Sequence, residues 1–340
     1  MSRSPTSRLA CAPKGTRRGH RPDVGYAASV ATNHQRTHAR ALTDVVPELA
    51  RRFLTAPEPP SRLPTIRDLA HDHGSSLSSI HAAMGRLEEA GAIRIETRGR
   101  LGAFMVERSV GRLWATAQSG PLVISLPLAS SPRYEALATA IKQLLTTAGL
   151  EVFLIFVRGS RQRLQAVREG RCHLTVMSSF AATELCGPED SVVVELAPDS
   201  YNTGHRVFYA AADPDPHPIR VIVDRHSADQ QLLTALEFTE ADVTLVPAMP
   251  GQITRLLANG QADAGVWTID EMQVGRPDGI LERPLKPAVL QQIGDRMTRA
   301  VLVGRATESA IMRAVTASVQ SAAVAQIQLD VMAGRVVPEY

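Results

Sequence analysis

The sequence predicts two folded units: a small α+β unit of helices closed by a hairpin, then a larger two-lobed α/β unit. Three observations predict this. Residues 63–93, "LPTIRDLAHDHGSSLSSIHAAMGRLEEAGAI", carry two short apolar runs at helical spacing around a Gly, and two alternating runs follow around a Gly-bearing turn. Beyond residue 120, strand and helix patterns alternate, as in a parallel α/β sheet. That alternation occurs twice. Gly170-Arg-Cys-His173-Leu-Thr-Val176 in the first set echoes Gly260-Gln-Ala-Asp263-Ala-Gly-Val266 in the second, each after a helix and opening a strand.

At 340 residues, about two domains are expected. The 44% hydrophobic content suffices for real cores, but aromatics are only 4%, so Ala, Leu, Val and Ile must build them. The net charge of +3 hides an asymmetry. Through Arg112 there are 18 basic against 10 acidic residues, and beyond it 19 against 24. A basic first part suggests a polyanionic partner. However, residues 1–40 hold 8 basic groups and only Asp23, so the excess lies mostly in that segment. Cys11, Cys172 and Cys186 form neither a CxxC pair nor a metal-ligand pattern, which fits a reducing cytosol. No apolar run reaches 18 residues, and Arg17-Arg18 is not followed by an apolar stretch. Neither a membrane span nor an export signal is expected, and a cytoplasmic location is.

Residues 1–37, rich in Ser, Arg, Pro, Gly and Thr without apolar periodicity, are expected to form a disordered basic tail. The small unit takes 38–108. A helix is expected over 39–54, interrupted in pattern by Pro47, and "TAPEPPSR" reads as a loop. Thr65 caps a helix with Ile66, Leu69 and Ala70 on one face. Ser76 caps the next, with Ile80, Ala83, Met84 and Leu87, and Gly91 ends it. Residues 93–97 and 103–106 form the hairpin, with Arg98 and Arg100 in its turn. Residues 109–120 read as a linker. The two-lobed unit takes 121–335. Its strands are "LVISLPL", "EVFLIFV" and "CHLTVMSS", then "IRVIVD", "DVTLVPA" and "ADAGVWT".

The helix–turn–helix–hairpin order resembles the GntR-type winged helix. Leu63, Pro64, Arg67, Leu69, Ala70, Gly74, Ser76, Ala83, Leu87, Glu88, Glu89, Gly91 and Ile93 carry the likeness. The larger unit resembles the type 2 periplasmic-binding-protein fold, also used as the effector domain of LysR-type regulators. With "LPLASSPRYEALA", "VDRHSADQQLL" and "NGQADAGVWTID", the whole is similar to the YhfZ-type regulator family. The resemblance implies a periplasmic-binding-protein-like α/β effector domain behind a winged helix-turn-helix. It implies a one-component transcriptional regulator that binds double-stranded operator DNA and senses a small metabolite between the lobes; a single winged helix covers only a short half-site, so a homodimer is expected, and no cofactor is.

In such a winged helix the second helix enters the major groove. Ser75, Ser76, Ser78, Ser79 and His81 are the candidates there. Arg62 and Arg67 stand for phosphate, Arg98 and Arg100 for the wing, and Thr65 at the start of the preceding helix is a further DNA-binding candidate. Related proteins carry Arg where this chain has Leu77 and His81, so phosphates and the wing are expected to supply more of the affinity than base contacts. In paired α/β lobes ligands bind beyond the carboxyl ends of the strands. The candidates are Ser130, Ser131 and Arg133 after the first strand, Arg158 and Ser160 after the second, and Ser178 and Ser179 after the third. Arg225, His226 and Ser227 open the second lobe's first helix, and Trp267, Thr268 and Asp270 follow its last strand. Hydroxyl caps and three Arg suit a carboxylate or phosphate. Singly, each Ser is as well explained as a helix cap, each Arg as a solvated side chain, and Trp267 as core; the convergence of five loops makes the site. His173 and Asp263 lie at strand starts and read as structural turn residues.

Two other classes compete. The chain could be a cytosolic solute-binding or sensor protein whose N-terminal unit only dimerises. It could be an enzyme on the same two-lobed fold, which an acid/base pair in the cleft would expose. The sequence carries no G-x-S-x-G, H-E-x-x-H, P-loop or dinucleotide fingerprint, so no enzyme is expected.

Overall fold

The computed structural model describes residues 42–210, 219–239, 242–273 and 276–340. The expected basic tail over 1–37 and the first residues of the helix expected from 39 lie outside them.

The small unit is a winged helix. Helix α1 (Leu42–Leu54) continues through Pro47 because Val45, Leu49 and Phe53 bury one face. Helix α2 (Ile66–Asp72) starts at Thr65, whose hydroxyl accepts from the Asp68 N–H while Asp68 accepts from the Thr65 N–H. Helix α3 (Leu77–Glu89) starts at Ser76, which accepts from the Ser79 N–H. It buries Ile80, Ala83, Met84 and Leu87 and ends at Gly91, whose φ of +62° only glycine adopts without strain. The wing pairs β2 (Ile93–Thr97) with β3 (Ala103–Arg108), and Gly99–Leu101 turns at its tip. The sequence reading misplaced one piece. "SR" at the end of the expected loop is a short strand, β1 (Ser61–Arg62), which adds a third row of backbone bonds to β3.

Residues 109–120 are not the expected free linker. They hold α4 (Val110–Thr116), whose Leu113 and Trp114 are buried. Arg51 Nη2 donates to the Ala117 carbonyl at 3.0 Å, and Trp114 Nε1 to the Gly120 carbonyl at 2.8 Å. Gly111 lies so close to Gly149 that a Cβ on it would stand 2.2 Å from the Ala148 carbonyl oxygen. One hydrophobic core therefore runs from Val45, Leu49 and Phe53 through Leu113 to Leu137, Ile141 and Val315 of the next lobe.

In the first lobe, β4 (Leu122–Leu126), α5 (Pro132–Thr147), β5 (Val152–Phe156), α6 (Ser160–Arg168), β6 (Leu174–Ser178), α7 (Ser179–Leu185) and β7 (Asp190–Glu195) follow in chain order. The second holds β8 (His205–Ala210), β9 (Ile219–Val223), α8 (Ala228–Glu237), β10 (Val243–Pro247), α9 (Ile253–Ala258), β11 (Ala264–Thr268), α10 (Ile269–Met272), β12 (Ile280–Pro284) and α11 (Pro287–Ile293). The chain then returns to the first lobe with β13 (Ala300–Arg305), α12 (Ser309–Ser318) and α13 (Ser321–Met332). Residues past 335 also belong there: the Tyr340 ring meets Phe156 edge-on, and the Glu339 N–H donates to Thr139.

The sheet orders, β5-β4-β6-β13-β7 and β10-β9-β11-β8-β12, are the same topology twice. The sheets are mixed rather than wholly parallel, because β13 and β8 run antiparallel to their neighbours after crossing between lobes. The sequence echo marks equivalent joints. His173 Nδ1 accepts from the Val123 N–H at 2.9 Å, and Asp263 Oδ2 from the Arg220 N–H at 2.7 Å. One ties the start of β6 to β4 and the other the start of β11 to β9, so the structural reading of both residues holds. Burial lowers the His173 pKa, which keeps the ring neutral and able to accept. Among the described residues, no helix is long and apolar enough to cross a membrane.

Candidate functional site

The lobes meet over a cavity of about 70 Å³ at the carboxyl ends of their strands. Ser130, Arg158, Ser160, Ser227, Trp267 and Thr268, all expected from sequence, line it. The other seven expected residues do not. Ser131 is buried as the cap of α5 and accepts from the Tyr134 N–H. Ser178 caps α7 behind the wall, and Ser179 only begins that helix. Arg225 borders a depression on the outer face of the second lobe with Phe238 and Leu245. His226 is exposed and meets Gln162 at the lobe junction. Arg133 and Asp270 pair with each other. Trp267 is both wall and core, packed among Phe208, Ile222 and Ile253.

Two of the three arginines expected to take an anion, Arg133 and Arg158, are already paired across the cleft, and the third, Arg225, lies outside the cavity. Arg158 donates to both oxygens of Asp224, Nε to Oδ2 at 3.0 Å and Nη2 to Oδ1 at 2.6 Å, and also to the Ala248 carbonyl. Arg133 Nε donates to Asp270 Oδ1 at 2.9 Å and its Nη1 to the Asp199 carbonyl at 2.7 Å. Asp270 further accepts from the Thr203 N–H and hydroxyl. Free cationic sites for a carboxylate or phosphate are therefore a correction to the sequence reading: carboxylates of the other lobe take those positions. The lobes also touch at Gly159 (φ +86°), where a Cβ would lie 2.7 Å from the His226 carbonyl oxygen.

Beside these pairs stands a polar interior the sequence reading missed: Tyr134, Arg163, Tyr201, Asn202, His205, Asp229, Gln230 and Glu271. Asp229 accepts from Ser178 Oγ at 2.8 Å, joining α8 of one lobe to the cap of α7 in the other. Burial raises its pKa to about 6 against the opposing pull of Ser178 and Arg163. Glu271 is engaged by Ser130 from the opposite lobe and by Thr268 Oγ1, and burial raises its pKa as well. Arg163, only 3% exposed, donates to the Val157 and Val176 carbonyls and to the Tyr201 hydroxyl. Burial lowers His205 to about 4 and lifts the Tyr201 hydroxyl to about 12, so both are neutral near pH 7. A weak signal existed for two of the missed acids. Asp229 lies two residues past its cap Ser227, and Glu271 three past its cap Thr268, so both begin helices at strand ends. Tyr201 and Asn202 sit in the crossover over 196–204, where no periodicity marks them.

On the winged helix, Thr65 and Ser76 are committed to their caps, and Ser76 also bonds the Ser78 and Ser79 hydroxyls. Ser78 and His81 are exposed on α3 beside Leu77, which is 51% exposed. Arg62 and Arg67 are exposed on β1 and α2. At the wing tip Arg98 donates to Glu96 at 3.2 Å and lies over the Phe104 ring at 4.7 Å. Among the described residues, Arg67 and Arg100 have no ion-pair partner.

Comparison with known proteins agrees with this division. Residues 61–105 match a helix-turn-helix domain, and residues 110–340 match the YhfZ C-terminal domain. Escherichia coli (strain K12) YhfZ, itself uncharacterized, is 28% identical over 309 residues, spanning 90% of this chain and all of that protein. The crystal structure of YhfZ from Shigella flexneri is 24% identical, with a TM-score of 0.56 over 68% of this chain and 98% of that one. A periplasmic substrate-binding protein of an ABC transporter from Coxiella burnetii is 12% identical, with a TM-score of 0.42 over 64% of this chain and all of that one. Both lobes, both crossovers and the cleft fall inside the matched C-terminal segment, and the chain belongs to the YhfZ family.

Proposed function

We propose that this protein is a one-component transcriptional regulator: the winged helix binds operator DNA as a homodimer, and the interlobe cavity senses a small metabolite in the cytoplasm. One observation carries the reading. The winged helix shares a continuous core with the first lobe, while the second lobe meets the first around the polar cavity and through the apolar side chains of Phe180 and Ala228. A ligand that shifts the lobes would thus act on the body that holds the DNA-binding helices. Arg62, Arg67 and Arg100 are the proposed phosphate contacts, with Ser78, Ser79 and His81 toward the groove. Asp229 and Glu271 could serve acid–base chemistry, but both are held by hydroxyls, and we read the cavity as a recognition site.

The test is fluorescence anisotropy on duplexes selected from a random-sequence pool, repeated over a salt series. A steep loss of affinity with salt is expected, and flat affinity would remove the phosphate contacts. Ser78→Glu with Ser79→Glu should abolish binding.

Half-exposed Leu77 at the start of α3, where related winged helices carry Arg, favours a second reading. In it the N-terminal unit only dimerises a sensor. Wild-type DNA affinity in the double Glu variant, or no selectable DNA with an intact dimer, would support that reading.

A further inference from the structure

We propose that the interlobe cavity takes a compact ligand bearing an ammonium group; this rests on the sensor reading above and specifies its ligand. Three carboxylates line the cavity, Asp224, Asp229 and Glu271, against two guanidinium groups, Arg158 and Arg163. Asp224 and Arg158 cancel in their two-point pair. Arg163 is turned onto two backbone carbonyls and a tyrosine hydroxyl, and neutralises at most one of the two remaining acids. Asp229 and Glu271 receive hydroxyl donors from Ser178, Ser130 and Thr268, which bond a carboxylate but bring no positive charge. The wall therefore lacks one cation.

A second observation is independent of the acids. His205 lines the same cavity, is 8% exposed, and its Nδ1 has no hydrogen-bond partner among the described residues. A neutral imidazole keeps one accepting nitrogen, whereas an ammonium offers three donors and no acceptor. Two carboxylates and an imidazole are the set such a group requires. The rings of Tyr134, Tyr201 and Trp267 line the same space. An anion would instead enter beside two buried carboxylates of its own sign. The size restricts the ligand further: about 70 Å³ admits about five water-sized groups, hence a molecule of a few heavy atoms.

The experiment is a thermal-shift and calorimetric series on the full chain with three compounds of similar size: ethanolamine, ethylene glycol and glycolate, at matched ionic strength. Ethanolamine should raise the melting temperature, and the neutral and anionic compounds should not. Asp229→Asn and Glu271→Gln should each weaken ethanolamine binding by about tenfold or more. Cooperative melting of each variant alone shows that it folds, and two separate acids guard against one being needed for folding. A shift with glycolate and none with ethanolamine overturns the proposal and leaves the sensor reading standing. No shift with any of the three overturns the proposal, while the sensor reading is then decided by the DNA experiment. An ethanolamine shift unchanged in both variants places binding elsewhere and also overturns it.

Discussion

Arg158 and Asp224, 66 residues apart, join the two lobes through a two-point ion pair of 3.0 and 2.6 Å. The Asp224 side chain is almost wholly buried, and it also accepts from the His226 N–H at 2.9 Å. Its charge is tolerated because the opposite lobe supplies the guanidinium.

Arg158→Ala should cost about 3 kcal/mol, since it leaves a buried carboxylate without its cation. The lobes should separate, seen as a larger radius of gyration in small-angle X-ray scattering. Arg158→Met with Asp224→Leu should recover much of the loss in a double-mutant cycle. Equal stability of Arg158→Ala and wild type would mean that the pair does not hold the lobes together.

The pH dependence separates Asp229 from His205. Burial raises Asp229 from its usual 3.8 to about 6, so its contribution to stability is full below about pH 3.8 and lost as pH rises through about 6. Burial lowers His205 from 6.5 to about 4, so its contribution is full above about pH 6.5 and lost as pH falls through about 4. Each amounts to roughly 3 kcal/mol, and between about pH 4 and pH 6 they oppose one another. Asp229→Asn should therefore be more stable than wild type at about pH 8 by up to roughly 3 kcal/mol, with the advantage gone near pH 4. Urea denaturation at a series of pH values checks this; a constant difference would show that the Asp229 carboxyl is not raised.

The two wing arginines should differ. Arg98 is held by Glu96 and by the Phe104 face, whereas Arg100 is unpaired among the described residues. Arg100→Ala should weaken DNA binding and lower the slope of log affinity against log salt by about 0.9, the value of one phosphate contact. Arg98→Ala should do less. Equal slopes for Arg100→Ala and wild type would remove that contact.

Gly111 tests the joint between winged helix and first lobe. A methyl there would stand 2.2 Å from the Ala148 carbonyl oxygen, so α4 must shift. Gly111→Ala should destabilise by about 2 kcal/mol and increase hydrogen exchange in α4. A melting temperature equal to wild type would show that α4 can slide without loss.

The sequence by itself determined the elements that local periodicity controls. The hairpin strand at Ile93–Thr97 and the caps at Thr65, Ser76 and Ser227 fall where predicted. All six strands expected for the lobes are also present. An apolar face at fixed spacing, a cap and a glycine at positive φ act within a few residues, so they are visible in a few residues. The echo between His173 and Asp263 was legible for the same reason, since each acts through a bond to the neighbouring strand.

Only the tertiary structure decided what the cleft residues face. The sequence marked Arg133, Arg158 and Asp270 at strand ends, but not that Arg133 meets Asp270, 137 residues away, nor that Arg158 meets Asp224, 66 residues away. Side-chain charge is a local property, but net charge in a cavity depends on which groups two lobes bring together. Nor did the sequence show that 109–120 holds a helix, Val110–Thr116, packed by Leu113 and Trp114, because seven residues carry too little periodicity to announce themselves. Strands β8 and β13 take their antiparallel places only because the chain crosses between lobes, and no pattern of spacing records a crossover.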